Sequence, residues 1–183
     1  MQNNNPGADN GLTVKRGWLI ILAFLMQVAV ITTVSDPEAL ALKRAVLAIT
    51  SLMLLLGILP NLRWWSFRIL ALGFLMNTLV IAVNGGLMPV TPEDNAKVSP
   101  PDQRVEVGQT PPHSKNILLN REDARLYFLA DTIYLSWPSP KVYSAGDAVL
   151  ALGLVAFALE AAYRGLRARR EKTDPLAEAY DNG

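Results

Sequence analysis

Cysteine is missing from the 183-residue chain, which excludes disulfides, thiol nucleophiles, iron–sulfur clusters and Cys-ligated zinc. Histidine occurs once, at His113, so one chain cannot build a multi-histidine metal site. Charge is scarce too: Asp, Glu, Lys and Arg make up 18% of residues, and the formal net charge is +1. A balance so near zero removes the electrostatic basis for binding nucleic acid. No phosphate loop, nucleophile elbow, HExxH or dinucleotide fingerprint appears, and neither metal nor cofactor is expected. What abounds is apolar. Such residues form 51% of the chain and mean hydropathy is +0.23, too high for a disordered chain and unusual for a water-soluble domain.

The apolar residues lie in four blocks almost free of charge: Trp18 to Val34, Ala45 to Leu59, Ile69 to Val83, and Ala148 to Leu159. Crossing a bilayer takes about 20 helical residues, and the blocks reach that length with their flanks. The expected fold is all-α, with four transmembrane helices near 17–34, 42–60, 67–86 and 145–164. Lys15 and Arg16 before the first block outline a signal peptide as well. The run after them exceeds the usual apolar core of roughly 7–15 residues and has no Ala-x-Ala site, so an uncleaved first helix is expected.

Orientation follows from the flanks. Nine basic residues lie on one side: Lys15, Arg16, Arg63, Arg68, Arg164, Arg167, Arg169, Arg170 and Lys172. The short connection 35–44 carries only Lys43 and Arg44, and the long segment before block four is largely exempt from the positive-inside rule. Both termini are therefore expected in the cytoplasm, in the cell's inner (plasma) membrane. Trp18, Trp64, Trp65 and Trp137 fall where an aromatic belt would place them. Residues 1–14 and 166–183 read as cytoplasmic tails, the first one disordered, around a membrane domain at 15–165. Ser35 or Asp36 with Pro37 has the form of a helix start.

The long outer loop, 87–144, holds the informative residues. Six of the twelve prolines fall between Pro89 and Pro112, which predicts irregular backbone. Asn120 to Asp123 then resembles a helix cap, with Leu126, Leu129, Ala130, Ile133 and Tyr134 at helical spacing behind it. This predicts one short amphipathic helix in the membrane interface.

Several residues have two readings. Asp147 is a candidate catalyst, because two neighbouring carboxylates cannot both ionise and can share a proton that activates water. Ser144-x-x-Asp147 is equally a capping box. His113 is a candidate base or ligand, with Asp131 or Asp147 as partner, although a histidine in a proline-bounded loop is ordinarily exposed or locally bonded. Asn84, Gly85 and Gly86 suit a helix C-cap, or backbone amides exposed to a ligand or to the packing loop. Gln27, Asn77 and Thr78 are expected to bond across the bundle, and Glu160 with Arg164 to form an i,i+4 ion pair.

Two resemblances attach to these residues. The segments Asn84-Gly85-Gly86-Leu87-Met88-Pro89-Val90 and Tyr143-Ser144-Ala145-Gly146-Asp147, with His113 and Leu129-Ala130-Asp131 between, resemble an uncharacterised bacterial family of small multi-pass membrane proteins. That implies a bacterial inner-membrane protein without an assigned activity. The positions of Gly85-Gly86 and Asp147 are also similar to lipoprotein signal peptidase, a four-helix aspartyl protease. The peptidase's Gly-Asn-x-x-Asp-Arg segment does not follow Gly86. On this footing the chain is expected to be a non-enzymatic structural or accessory component of a membrane assembly, partnered by the bilayer and, through the outer loop, by protein. The second expectation is a membrane-embedded hydrolase using Asp147 with Asp131 or Asp94, and His113 assisting. A transport unit ranks last, since no helix carries paired charges at mid-membrane.

Overall fold

The computed structural model describes residues 13–34 and 39–172. The expected turn at 35–38 and most of both expected tails lie outside the described residues. Helix α1 spans Gly17–Thr33, α2 Leu40–Ile58, α3 Trp65–Val83 and α5 Ala145–Lys172. A short α4 covers Pro92–Ala96. The fold is mostly helical but not all-α. Strands β1 (Met88–Val90) and β2 (Asn116–Leu118) pair in parallel, while β3 (Asp131–Leu135) and β4 (Lys141–Ser144) form an antiparallel hairpin. Three helical stretches, Leu40–Asn61, Trp65–Val83 and Ala145–Arg170, are long and apolar enough to cross a membrane, and α1 is apolar but shorter.

The interfacial helix expected around 120–135 is absent. A 3₁₀ turn at Tyr127–Leu129 leads directly into β3. Thr132, Ile133 and Tyr134 are β-branched or aromatic, and Tyr143 and Val142 lie opposite Ile133 and Tyr134 across the ladder. Cross-strand pairing outweighs the helical spacing of the same residues. Lys43 and Arg44 lie in the first turns of α2. Lys43 is 3% exposed and donates to the carbonyl of Ser114 at 2.9 Å.

Helix α1 packs chiefly on α2, and α3 on α5. The bundle is inverted relative to a water-soluble one. Ile21, Phe24, Leu52, Leu75, Leu152 and Leu159 face outward, while Thr50, Asn61, Ser66, Asn77 and Glu160 are buried. Large apolar perimeters and small or polar interiors are how helices associate in lipid. The α3–α5 contact runs over glycines. A Cβ on Gly73 would stand 2.8 Å from both Gly146 O and Leu150 N, and one on Gly153 would stand 2.7 Å from Leu70 Cδ2.

Polar side chains fasten both ends. At the end away from the long loop, Asn61 Nδ2 donates to the carbonyls of Lys15 and Gly57, and its Oδ1 accepts from Lys15 N–H, joining α2 to the start of α1. Beside it, Glu160 of α5 accepts from the Ser66 amide (3.0 Å) and hydroxyl (2.8 Å) in the first turn of α3. A carboxylate there satisfies an otherwise orphan helix donor and favours the positive end of the dipole. Arg164 Nη2 donates to Glu160 Oε1 at 2.6 Å, with its guanidinium 4.2 Å from the centre of the Trp64 ring. Trp64 packs with Phe67 and Phe157 beneath.

Candidate functional site at the loop end of the bundle

At the opposite end α3 stops at Val83. Gly85 and Gly86 take φ of +75° and +89°, and the Gly86 amide donates to Ile81 O at 2.8 Å, closing a Schellman-type turn. Asn84 then ties down the loop. Its Nδ2 donates to the carbonyls of Val80 and Arg125, and its Oδ1 accepts from the Arg125 amide. Asn84 thus ties the loop to the end of α3, and the two glycines close the helix.

Residues 113–118 run as a strap across the helix mouths. His113 Nδ1 lies 2.8 Å from Thr32 O at the end of α1, Ser114 O receives Lys43 from α2, and Lys115 O accepts from the Met88 amide beyond α3. Lys115 Nζ comes 3.8 Å from Asp147 Oδ2 at the start of α5. One short segment thus touches the ends of α1, α2 and α5 and the strand that follows α3.

Under the strap is a polar cluster. Ser144 and Asp147 form the reciprocal capping box: the Asp147 amide donates to Ser144 Oγ at 2.9 Å, and the Ser144 amide to Asp147 Oδ2 at 3.1 Å. Asn77 of α3 completes it, donating to Asp147 Oδ1 and accepting from Ser144 Oγ, both at 2.7 Å. Asp131 lies opposite Ser144 in the β3–β4 ladder. It is 2% exposed, and its Oδ2 accepts from Asn116 Nδ2 at 2.8 Å. Its Oδ1 is buried with no partner. Burial pushes the Asp131 carboxyl up to about 6, against the pull of Lys115 and Asn116, and the charge of Asp147 pushes the same way as burial.

The structure therefore brings Asp131, Ser144 and Asp147 together and leaves the other candidates elsewhere. His113 is bonded to α1, and Asp94 closes its own cap, accepting from Thr91 Oγ1 at 3.0 Å and Lys97 Nζ at 2.6 Å. Asn116, Lys115 and Lys43 were not singled out from sequence, although a lysine at the head of an apolar helix is a signal in itself. Among the described residues no cluster of three or more His, Asp or Glu is placed to hold a metal. Asp131 can hold its proton to about pH 6, and its Oδ1 has no partner. Both Asp147 oxygens are committed to hydrogen bonds.

Asp131 makes stability fall as pH rises. Below pH ~4 the carboxyl is protonated whether the chain is folded or not. Between there and about pH 6 the unfolded chain ionises while the folded one resists, an upper bound of about 3 kcal/mol. Asp131→Asn is expected to flatten this slope, leaving the melting temperature in detergent unchanged at pH 4 and raising it at pH 7.5. A lower melting temperature at pH 7.5 would mean that the fold uses the ionised carboxylate.

Residues 11–159 match the family described as a family of unknown function, DUF5317. No curated protein and no solved structure matches the chain.

Proposed function

The chain belongs to the DUF5317 family, and we propose that it is a bacterial inner-membrane protein that crosses the bilayer four times with both termini in the cytoplasm. In this reading the loop end is extracytoplasmic, and the protein serves as a non-enzymatic accessory component of a membrane assembly. One observation carries the reading: the strongest catalytic candidate, Asp147, is spent on structure, with one oxygen on Asn77 and the other on the Ser144 amide. The strap supports it. A segment that ties three helix ends and β1 together holds the outer layer in place as a surface for a protein partner. Within that layer, Thr91, Glu93, Asn120, Arg121 and Tyr127 line an open polar cleft of roughly 500 Å³ suited to such a contact.

A second reading has one observation in its favour. Asp131 shares the cluster with Asp147 and holds its proton to about pH 6, as a member of an aspartyl hydrolase pair would. Complementation of a deletion strain, scored beside membrane abundance, separates the two. Asp147→Asn keeps the side-chain shape but turns an amide N–H toward one of the two donors Asp147 accepts from, and is expected to cost about 1–3 kcal/mol with the cellular role intact. Ser144→Ala, which weakens the cap by roughly 0.5–2 kcal/mol without touching a carboxylate, is the control. If Asp147→Asn and Asp131→Asn both abolish the role at normal abundance while Ser144→Ala does not, the hydrolase reading replaces ours.

A further inference from the structure

Two of the long helices leave bilayer thickness to be covered. Helix α1 has seventeen residues, about 25 Å at 1.5 Å per residue, against a hydrocarbon core of about 30 Å. In α5 only twelve residues, about 18 Å, separate Asp147 from Glu160. The remaining thickness has room for a second apolar element. At the end away from the loop, arginines and exposed Trp18, Trp65 and Tyr163 can reach along their own lengths to the headgroups.

The loop end is built differently. Its exposed charges, among them Lys97, Arg121, Glu122 and Asp123, lie on the segments before the β3–β4 hairpin, while Lys43 is drawn in beneath Ser114, Asp131 beside Asn116, and Asp147 among Asn77, Ser144 and Lys115. Its perimeter instead carries Trp137 at 84% exposure, Phe128 at 71% and Leu135 at 50%, with Ile133 and Tyr134 also exposed. From Thr132 to Gly146 the only charged residue is Lys141, which lies opposite Leu135 in the ladder. The backbone is equally prepared. β3 and β4 pair along their facing edges, their outer edges suit the headgroup level where water and phosphate remain, and two of the five residues between them, Pro138 and Pro140, have no N–H to desolvate. β4 runs straight into α5, so the hairpin is rooted at the helix mouth. A two-stranded hairpin is also marginal in water unless something covers it.

We propose that the β3–β4 hairpin is a membrane wedge, with Leu135 and Trp137 seated in the leaflet on the loop side and Lys141 reaching back to lipid phosphate. Tryptophan and tyrosine suit that depth, apolar at one end and hydrogen-bonding at the other. The wedge extends the apolar girdle beyond the start of α5 and covers the hairpin at once. It rests on the reading that the long helices cross a bilayer, and its test separates the two.

The absence of cysteine makes the experiment direct. Full-length protein carrying Ser136→Cys, spin-labelled and reconstituted into phosphatidylethanolamine–phosphatidylglycerol vesicles, is compared with labelled Asp102→Cys and Leu154→Cys. Collisions with oxygen report lipid, and collisions with a water-soluble nickel chelate report solvent. The label at 136 is expected to lose most of its chelate collisions relative to 102 and to gain oxygen collisions, as the label at 154 does. Adding Leu135→Ser and Trp137→Ser should return the 136 label to the chelate. Chelate collisions at 136 equal to those at 102 overturn the wedge while leaving the crossing in place. An immobilised label shielded from both reagents also overturns it, because protein then covers the hairpin. Persistence in lipid after the double serine change would show that these side chains are not the anchor. Chelate access at 154 would remove the crossing and the wedge together.

Discussion

Gly146→Ala is expected to lower the melting temperature of the detergent-solubilised protein by about 10 °C, which corresponds to roughly 3–4 kcal/mol at this chain length. The added methyl would fall on the Asn77 side-chain amide and 2.9 Å from Gly73 O. Overfilling a close contact typically costs about 1–3 kcal/mol. Here the atom struck belongs to the hydrogen-bond network at the mouth of α5. Asn77 would have to release Ser144 Oγ, Asp147 Oδ1 or both, and each buried group left unsatisfied costs about 1–3 kcal/mol more. Helix propensity acts in the opposite direction, since alanine exceeds glycine by about 1 kcal/mol. Gly165→Ala isolates that term, because nothing lies within 4 Å of a Cβ there. It is expected to leave the melting temperature unchanged or to raise it slightly. Equal melting temperatures for the Gly146→Ala variant and the wild type would refute the close α3–α5 approach.

Glu160→Ala should cost at least as much at the other end of the same helix pair. The carboxylate is 4% exposed and receives four donors: the Ser66 amide and hydroxyl on one oxygen, and Arg164 Nε and Nη2 on the other. Removing one partner of a buried pair costs about 3–5 kcal/mol, because the charge left behind has lost its compensation. Glu160→Gln keeps one acceptor for Ser66 and should lose roughly half as much. The pair itself need not be stabilising. Glu160→Met combined with Arg164→Met is therefore expected to melt above Glu160→Ala alone. Thermal unfolding of the four proteins in one detergent gives the comparison, and a loss below ~1 kcal/mol for Glu160→Ala would show that the ion pair is solvated.

What was legible in the sequence was local. Runs of Leu, Ile and Val mark the long helices, the Ser144-x-x-Asp147 spacing marks the cap, and Gly85-Gly86 marks the turn, because each depends on neighbours within about four residues. The 120–135 segment misled because Leu126, Leu129 and Ile133 fit a helical period while Thr132, Ile133 and Tyr134 also fit a strand. The decision lay with Val142 and Tyr143, beyond a turn containing two prolines. The candidate site was legible only in part for the same reason. Asp131 is buried because Met88 pairs with Asn116 in the parallel ladder, which delivers Asn116 to the carboxylate. Nothing in the spacing of either strand announces its partner. Lys43 likewise becomes a structural residue only when a strap seventy-one residues away arrives over it.

The exchange of caps between α3 and α5 sets an order of assembly. The α1–α2 pair is closed by Lys15 and Asn61, forty-six residues apart, so its fastening exists once the second helix has been made. Helix α3 follows immediately, but its first turn holds Ser66, whose acceptor is Glu160, ninety-four residues later. At roughly 5–20 residues per second a ribosome needs about 5–20 s to supply it. During that interval the whole loop layer emerges while α3 lacks both its cap and its packing partner. The last helix is thus the keystone of synthesis: its arrival completes the start of α3 at one end and, through Asn77, its own start at the other.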